Sequence, residues 1–268
     1  MRLKLGWLLP NTFFLHGTSG DIMAIENMAN KLGIDIDTEK IDFDTEKVNF
    51  NDYDILYIGV GQISSFEVAK KDFFDDKNLM LREFIESGKI FIAVGTTVSM
   101  FGNKITRSSG EMIDGLGILP VHAEEGGQIY GDDIWMDCNY GTSKFEIFGS
   151  QIAMQDIFCD DEIKPFGNLK YGYGDSGRTN HEGFIIKNAF FTSVLGPLFV
   201  LNPRLTREVL IAAVKMRSVH SKYAKESEEL FKNVQSEELD FRLEDRSAAL
   251  KIKYTKKKQS NLIPVEKR

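Results

Sequence analysis

Short apolar runs, separated by glycine and polar turns, set the rhythm of most of the chain. Residues 3–9 alternate and then run apolar, which predicts a first strand ended by Pro10, with the glycine-bearing loop FFLHGTSGD after it. Asp21 or Ser19 is placed to cap a helix reaching Lys31, with Ile22, Ile25 and Met28 on one face. Strands are predicted at residues 34–41 and 53–59. The second of these, YDILYIG, is apolar almost throughout, the pattern of a strand buried on both faces of a parallel sheet. A helix ending near Ser87 presents Leu79, Leu81, Phe84 and Ile85 as its apolar face.

Residues 89–102, KIFIAVGTTVSMFG, are the stretch that organises the rest. They read as a buried strand over 90–94, a turn at Gly95 and a short helix carrying Val98, Met100 and Phe101. From 115 to 149 the period shortens to alternating segments, which predicts antiparallel hairpins with a turn at Gly141 and Thr142. Residues 168–183 are polar and glycine-rich, a loop and strand edge, and strands follow at 184–187 and 189–195. Asn202 and Pro203 open a helix on which Leu205, Val209, Ala212, Ala213 and Met216 recur with helical period.

Beyond Arg217 the composition changes. Residues 221–241 are charged and helical in pattern, with sparse apolar positions at Leu230, Phe231 and Val234. From Arg246 to the end there are eight basic residues and one acidic, Lys256, Lys257 and Lys258 among them. The reading is a three-layer α/β domain over residues 1–217, with a mostly parallel central sheet and added antiparallel hairpins, then a charged helical extension and basic tail over 218–268. Such a tail is expected to stand away from its own domain and to order only against another chain.

Composition narrows the function classes. With 42% hydrophobic and 27% charged residues in 268, the chain can bury a substantial core, and its net charge of −7 argues against general affinity for nucleic acid or anionic membrane. No apolar run approaches the roughly 20 residues that span a bilayer. The opening MRLKLGWLLPN lacks the apolar length and cleavage site of a secretory signal, so a cytoplasmic protein is expected. Cys138 and Cys159 fit no zinc or redox spacing, and no pair of the four histidines falls at ligand spacing. Neither a metal nor a cofactor is expected.

The strand–turn–helix at Gly95 has the shape of a nucleophile elbow, in which the apex residue sits on a strained turn above the sheet edge. Glycine holds such a bend easily but has no side chain with which to attack. Gly59 and Gly61, just past another buried strand, are expected beside Gly95 on the same rim, where backbone N–H groups can approach a ligand. Tight turns alone would also explain these glycines.

Several stretches, in order, resemble the cobyric-acid-synthase-like class I glutamine amidotransferases, in particular the GatD-type subunit of lipid II isoglutaminyl synthase. HGTSGDI at residues 16–22 is similar to the family's YGDRGNI, and IGVGQ at 58–62 to IGGGQ. FIAVGTTVSMFG at 91–102 lies where the family has a strand, C-G-G-Y-Q and a short apolar helix. GLGIL at 115–119, YGYGDSG at 171–177 and LGPLFVLNPRL at 195–205 complete the set, which covers roughly residues 5–217.

The resemblance implies a cysteine nucleophile at the elbow, a histidine base before G-P-L, an arginine that holds glutamine, and transfer of ammonia to a partner resembling a Mur ligase. This chain has Gly95 at the first position, Leu195 at the second and Gln128 at the third. A catalytically silent subunit that binds or regulates a Mur-ligase-like partner is therefore expected. The alternatives are an active amidotransferase subunit supplying ammonia for amidation of a cell-wall precursor, and a small-ligand binding protein. Gly59, Gly61, Gln62, Thr96 and Gln128 are the candidate residues for a ligand such as glutamine.

Overall fold

The computed structural model describes residues 2–220 and 224–261. Eleven strands form one sheet: β1 (Arg2–Leu8), β2 (Asp35–Ile41), β3 (Ile55–Ile58), β4 (Ile90–Val94), β5 (Lys104–Thr106), β6 (Met112–Asp114), β7 (Val121–Cys138), β8 (Glu146–Cys159), β9 (Lys164–Tyr171), β10 (His181–Ile186) and β11 (Ala189–Thr192). The helices are α1 (Thr18–Lys31), α2 (Phe66–Ala69), α3 (Asn78–Glu86), α4 (Leu198–Leu201), α5 (Pro203–His220), α6 (Ala224–Ser236) and α7 (Arg242–Asn261).

Strands β2, β1, β3, β4 and β11 lie side by side and parallel, with β3 and β4 in the middle. Every residue of β3 and β4 is buried. The strand period of two sends Ile55, Tyr57, Ile90 and Ile92 to the face covered by α1 and α5, and Leu56, Ile58, Phe91 and Ala93 to the face covered by Phe73, Phe74, Phe84 and Phe101. Two covered faces require apolar residues at every position, which is why these segments show no alternation.

The rest of the sheet is largely antiparallel. β10 joins β11 to β9, β9 joins β7, and β7 forms a long hairpin with β8, its register broken by a bulge between Glu125 and Tyr130. Hairpins were expected in this region, and residues 168–171, at the start of the expected loop and strand edge, complete β9.

Two local expectations are corrected. Neither Asp21 nor Ser19 caps α1; the cap position is Gly17, with φ of 86°, and no side chain caps the helix there. Asp21 lies inside the first turn and is buried, where it accepts hydrogen bonds from the Tyr57 hydroxyl at 2.8 Å and the Phe199 N–H at 2.7 Å. Tertiary donors have taken the carboxylate that a local cap would have used. On α3, Leu81, Phe84 and Ile85 are buried as expected, whereas Leu79 faces solvent.

The basic extension also differs from expectation. α5 runs unbroken through residue 217, and α7 lies back on the sheet domain. Residues 221–223 and 262–268 of the expected extension, with the side chain of Leu230, lie outside the described residues. No described helix is long and apolar enough to cross a membrane.

Candidate functional site

The C-terminal ends of β3, β4 and β11 open onto one cavity of about 400 Å³. Val60, Gly61 and Gln62 come from the turn after β3, Gly95 and Thr96 from the turn after β4, and Ser193 and Leu195 from the segment after β11. The loop after β1 adds Leu15 and His16, and the opposite wall is β8, from Gln151 to Gln155. Arg107 and Glu125 close one side. This is the edge of a parallel sheet at which ligands commonly bind, where strands end and loops diverge.

Gly95 stands at the apex of the β4 turn with φ of 75°, the left-handed region that glycine enters without steric cost. The space that its side chain would take is already occupied. A Cβ built there lies 2.7 and 2.9 Å from the two methyl groups of Val60 and 3.1 Å from Leu195 Cδ2. Gly95 and Leu195, separated by most of the chain in sequence, are therefore neighbours, and an apolar lid sits where an elbow displays its reactive group.

The nearby hydroxyls are committed to backbone. Thr96 Oγ1 donates to the Gly61 carbonyl at 2.5 Å, Thr97 Oγ1 to the Val94 carbonyl at 2.6 Å and the Gly59 carbonyl at 3.0 Å, and Ser99 Oγ to the Thr96 carbonyl at 2.8 Å. The bonds to Gly59 and Gly61 stitch the β3 and β4 turns together. Among the described residues, these hydroxyls donate to backbone carbonyls and not to a basic side chain.

The cysteines offer no thiolate. Cys138 is buried at the end of β7, and burial pushes its thiol up to about 12. The Cys159 thiol is also raised, first by burial, and stands beside the Asp161 carbonyl. Neither lines the cavity.

Of the residues singled out from sequence, Gly61, Gln62, Gly95, Thr96 and Leu195 line the cavity. Gly59 is buried behind it, and Gln128 is exposed on the β7 bulge, outside the lining. Gly59 and Gly61 serve close packing. A Cβ on Gly59 would lie 2.3 Å from Thr18 Cγ2, and one on Gly61 would lie 2.2 Å from the Phe13 ring.

The sequence reading missed His16, Arg107 and Glu125. Arg107 Nε donates to Glu125 Oε2 at 3.0 Å, and Ser108 donates to the same oxygen through its N–H at 2.9 Å and its hydroxyl at 3.2 Å. The Ser108 N–H foremost, then Arg107, holds the Glu125 carboxyl below its usual range. This pair is the cavity's charged feature, and only the folding of β7 beside β5 brings it together. On β8, the amide nitrogen of Gln155 is buried at the cavity wall without a hydrogen-bond partner.

Behind the rim sits a buried acidic pair. Glu182, fully buried, accepts from Thr192 Oγ1 at 2.7 Å and from the Ser193 N–H at 2.6 Å, while Asp175 accepts from the Gly183 N–H at 2.9 Å. Burial pushes Asp175 up to about 7 and, with repulsion from Asp175, Glu182 up to about 8. The pair anchors the segment that carries Ser193 and Leu195 into the cavity.

The chain is 24% identical over 218 residues to the GatD subunit of the glutamine-hydrolyzing lipid II isoglutaminyl synthase of Streptococcus pneumoniae, covering 81% of this chain and 82% of that one. Among solved structures it resembles PurLQS from Thermotoga maritima, with a TM-score of 0.52 and 11% identity over 80% of this chain and 99% of the other. A glutamine amidotransferase from the same organism gives a TM-score of 0.46 and 12% identity over 87% of this chain and 94% of the other. No family model matches. The chain is thus similar in sequence to GatD and shares the fold of PurLQS.

Proposed function

We propose that this protein is a catalytically silent amidotransferase-like subunit that binds or regulates a Mur-ligase-like partner acting on a cell-wall precursor. The observation that carries the reading is the apex of the elbow. Gly95 has no side chain, and Val60 and Leu195 fill the position from which one would act. Hydrolysis of a glutamine side chain by this fold needs a nucleophile, a proton acceptor and an oxyanion site in register. The described residues around Gly95 supply packed methyl groups and backbone-bonded hydroxyls instead. The partner comes from the likeness to GatD, whose name marks it as a synthase subunit.

A second reading, small-ligand binding, is favoured by the cavity itself. It holds an ion pair, Arg107 with Glu125, and the unpaired amide of Gln155, polar groups able to orient a ligand against apolar walls. The two readings are compatible, since a ligand could regulate the partner through this site.

The test is co-expression with the Mur-ligase-like protein of the same genome. The account expects a stable complex whose ligase activity uses free ammonia and does not rise when glutamine is supplied in its place. Absence of a complex, or glutamine-dependent amidation, would overturn it.

A further inference from the structure

α7 has two faces of different character. Its inner face holds it to its own domain: Lys258 Nζ pairs with Asp132 at 2.5 Å and Asp133 at 2.7 Å, and Arg204 pairs with Glu244 and Asp245, both at 2.7 Å. Gln259 donates to the Lys170 carbonyl at 3.1 Å, Thr255 is buried, and the Arg204 guanidinium lies 4.5 Å over the Phe241 ring just before the helix. The outer face carries Leu243, Leu250 and Tyr254, which are 80%, 57% and 63% exposed. At about 100° per residue, spacings of seven and four place all three within roughly 20° of one line along the helix. Arg246 and Lys253 border that line, and no acidic side chain of α7 lies on that border.

We propose that the outer face of α7 is a docking surface for a protein partner presenting an apolar groove with carboxylates along one margin. The proposal rests on the reading above that this chain works as a subunit, and it names the surface. Charge decides among occupants. A second copy laid symmetrically across the stripe would set Arg246 and Lys253 against basic residues of its own kind, so a two-fold pair is disfavoured. An anionic membrane would attract the basic border but repel the body, since the whole chain carries −7. An acidic-rimmed protein groove satisfies both the stripe and its border. Such a surface buries anchors at i, i+7 and i+11, as helix-in-groove recognition does.

The experiment measures the affinity of the full chain for the purified Mur-ligase-like protein at low and high salt, with Leu250→Glu, Tyr254→Glu and Lys253→Glu variants. All three positions point to solvent, so the variants keep their fold, checked by an unchanged melting temperature. Leu250→Glu and Tyr254→Glu are each expected to weaken binding by roughly tenfold or more, the loss typical of a central anchor. Lys253→Glu is expected to weaken it at low salt, with the difference shrinking as screening increases. Variants that bind within about twofold of the parent, while the parent binds well, overturn this surface and leave the subunit reading intact. A parent chain that does not bind overturns both. Capture of phosphatidylglycerol vesicles that is lost in the same variants, with partner affinity unchanged, assigns the face to a membrane and overturns the proposal.

Discussion

Gly95→Ala isolates the claim that the elbow's apex is both left-handed and filled. Holding a residue with a Cβ in the left-handed region costs about 1–2 kcal/mol. The added carbon would also lie 2.7 and 2.9 Å from the Val60 methyls and 3.1 Å from Leu195 Cδ2, closer than carbon atoms pack. Forcing an extra carbon into a packed site typically costs a further ~1–3 kcal/mol. The total of roughly 2–5 kcal/mol corresponds to a fall in melting temperature of about 5–15 °C for a chain of this size. Urea denaturation followed by tryptophan fluorescence reads the free energy directly, and Val60→Ala should recover part of the packing share but none of the backbone share. A Gly95→Ala protein as stable as the parent would refute the filled-apex reasoning. Equal cost with and without Val60→Ala would refute the steric half alone.

Gly61→Ala is expected to destabilise the protein by a similar few kcal/mol, because the new carbon meets the Phe13 ring; an unchanged urea midpoint would show that the β1 loop yields instead. The buried carboxyls make stability pH-dependent. Asp21 and Asp175, each raised to about 7, and Glu182, raised to about 8, keep protons in the folded state that the unfolded chain loses near its ordinary values. Their contribution is fully present below about pH 4 and is lost as the pH rises through about 7 to 8. The melting temperature should fall as the pH rises from about 4 to about 8 and level off above that, and Glu182→Gln should flatten that fall without abolishing it, because Asp21 remains. A melting temperature that rises over this range would contradict the assignment. Truncation after residue 241 removes the Lys258 and Glu244 pairs and uncovers the surface under Thr255, so it should lower the melting temperature by a few degrees. No change would mean that α7 contributes nothing to its own domain.

The parallel half of the sheet was legible because two-sided burial leaves a mark that sequence carries directly. Segments 55–58 and 90–94 are apolar at every position, and each is followed by a glycine, Gly59 for close packing and Gly95 for a left-handed turn at the rim. The pairing of Gly59 and Gly95 on one edge followed from that pattern. The opposite wall was not legible, since β8 presents Gln151 to Gln155 to the cavity through a long antiparallel hairpin whose register depends on a bulge. Arg107 and Glu125 illustrate the same limit: neither stands in a motif, and they meet because β5 lies parallel to β7. Gln128 was assigned to the site by alignment with a family pattern; it lies exposed in the irregular stretch between Glu125 and Tyr130 and is not among the residues lining the cavity. The tail was misread because charge density alone suggested detachment, while the carboxylates that hold it, Asp132 and Asp133, lie far away in sequence.

Incubation with glutamine labelled with nitrogen-15 at its side-chain amide tests the central claim most directly. The protein, alone and mixed with the Mur-ligase-like protein proposed as its partner, is followed by nitrogen-edited NMR for label appearing in free ammonia or in the amidated product. The account predicts that the label stays in glutamine at the rate of buffer alone, because Gly95 supplies no nucleophile. Transfer of label above that rate, abolished by substituting a single residue lining the cavity, would contradict it.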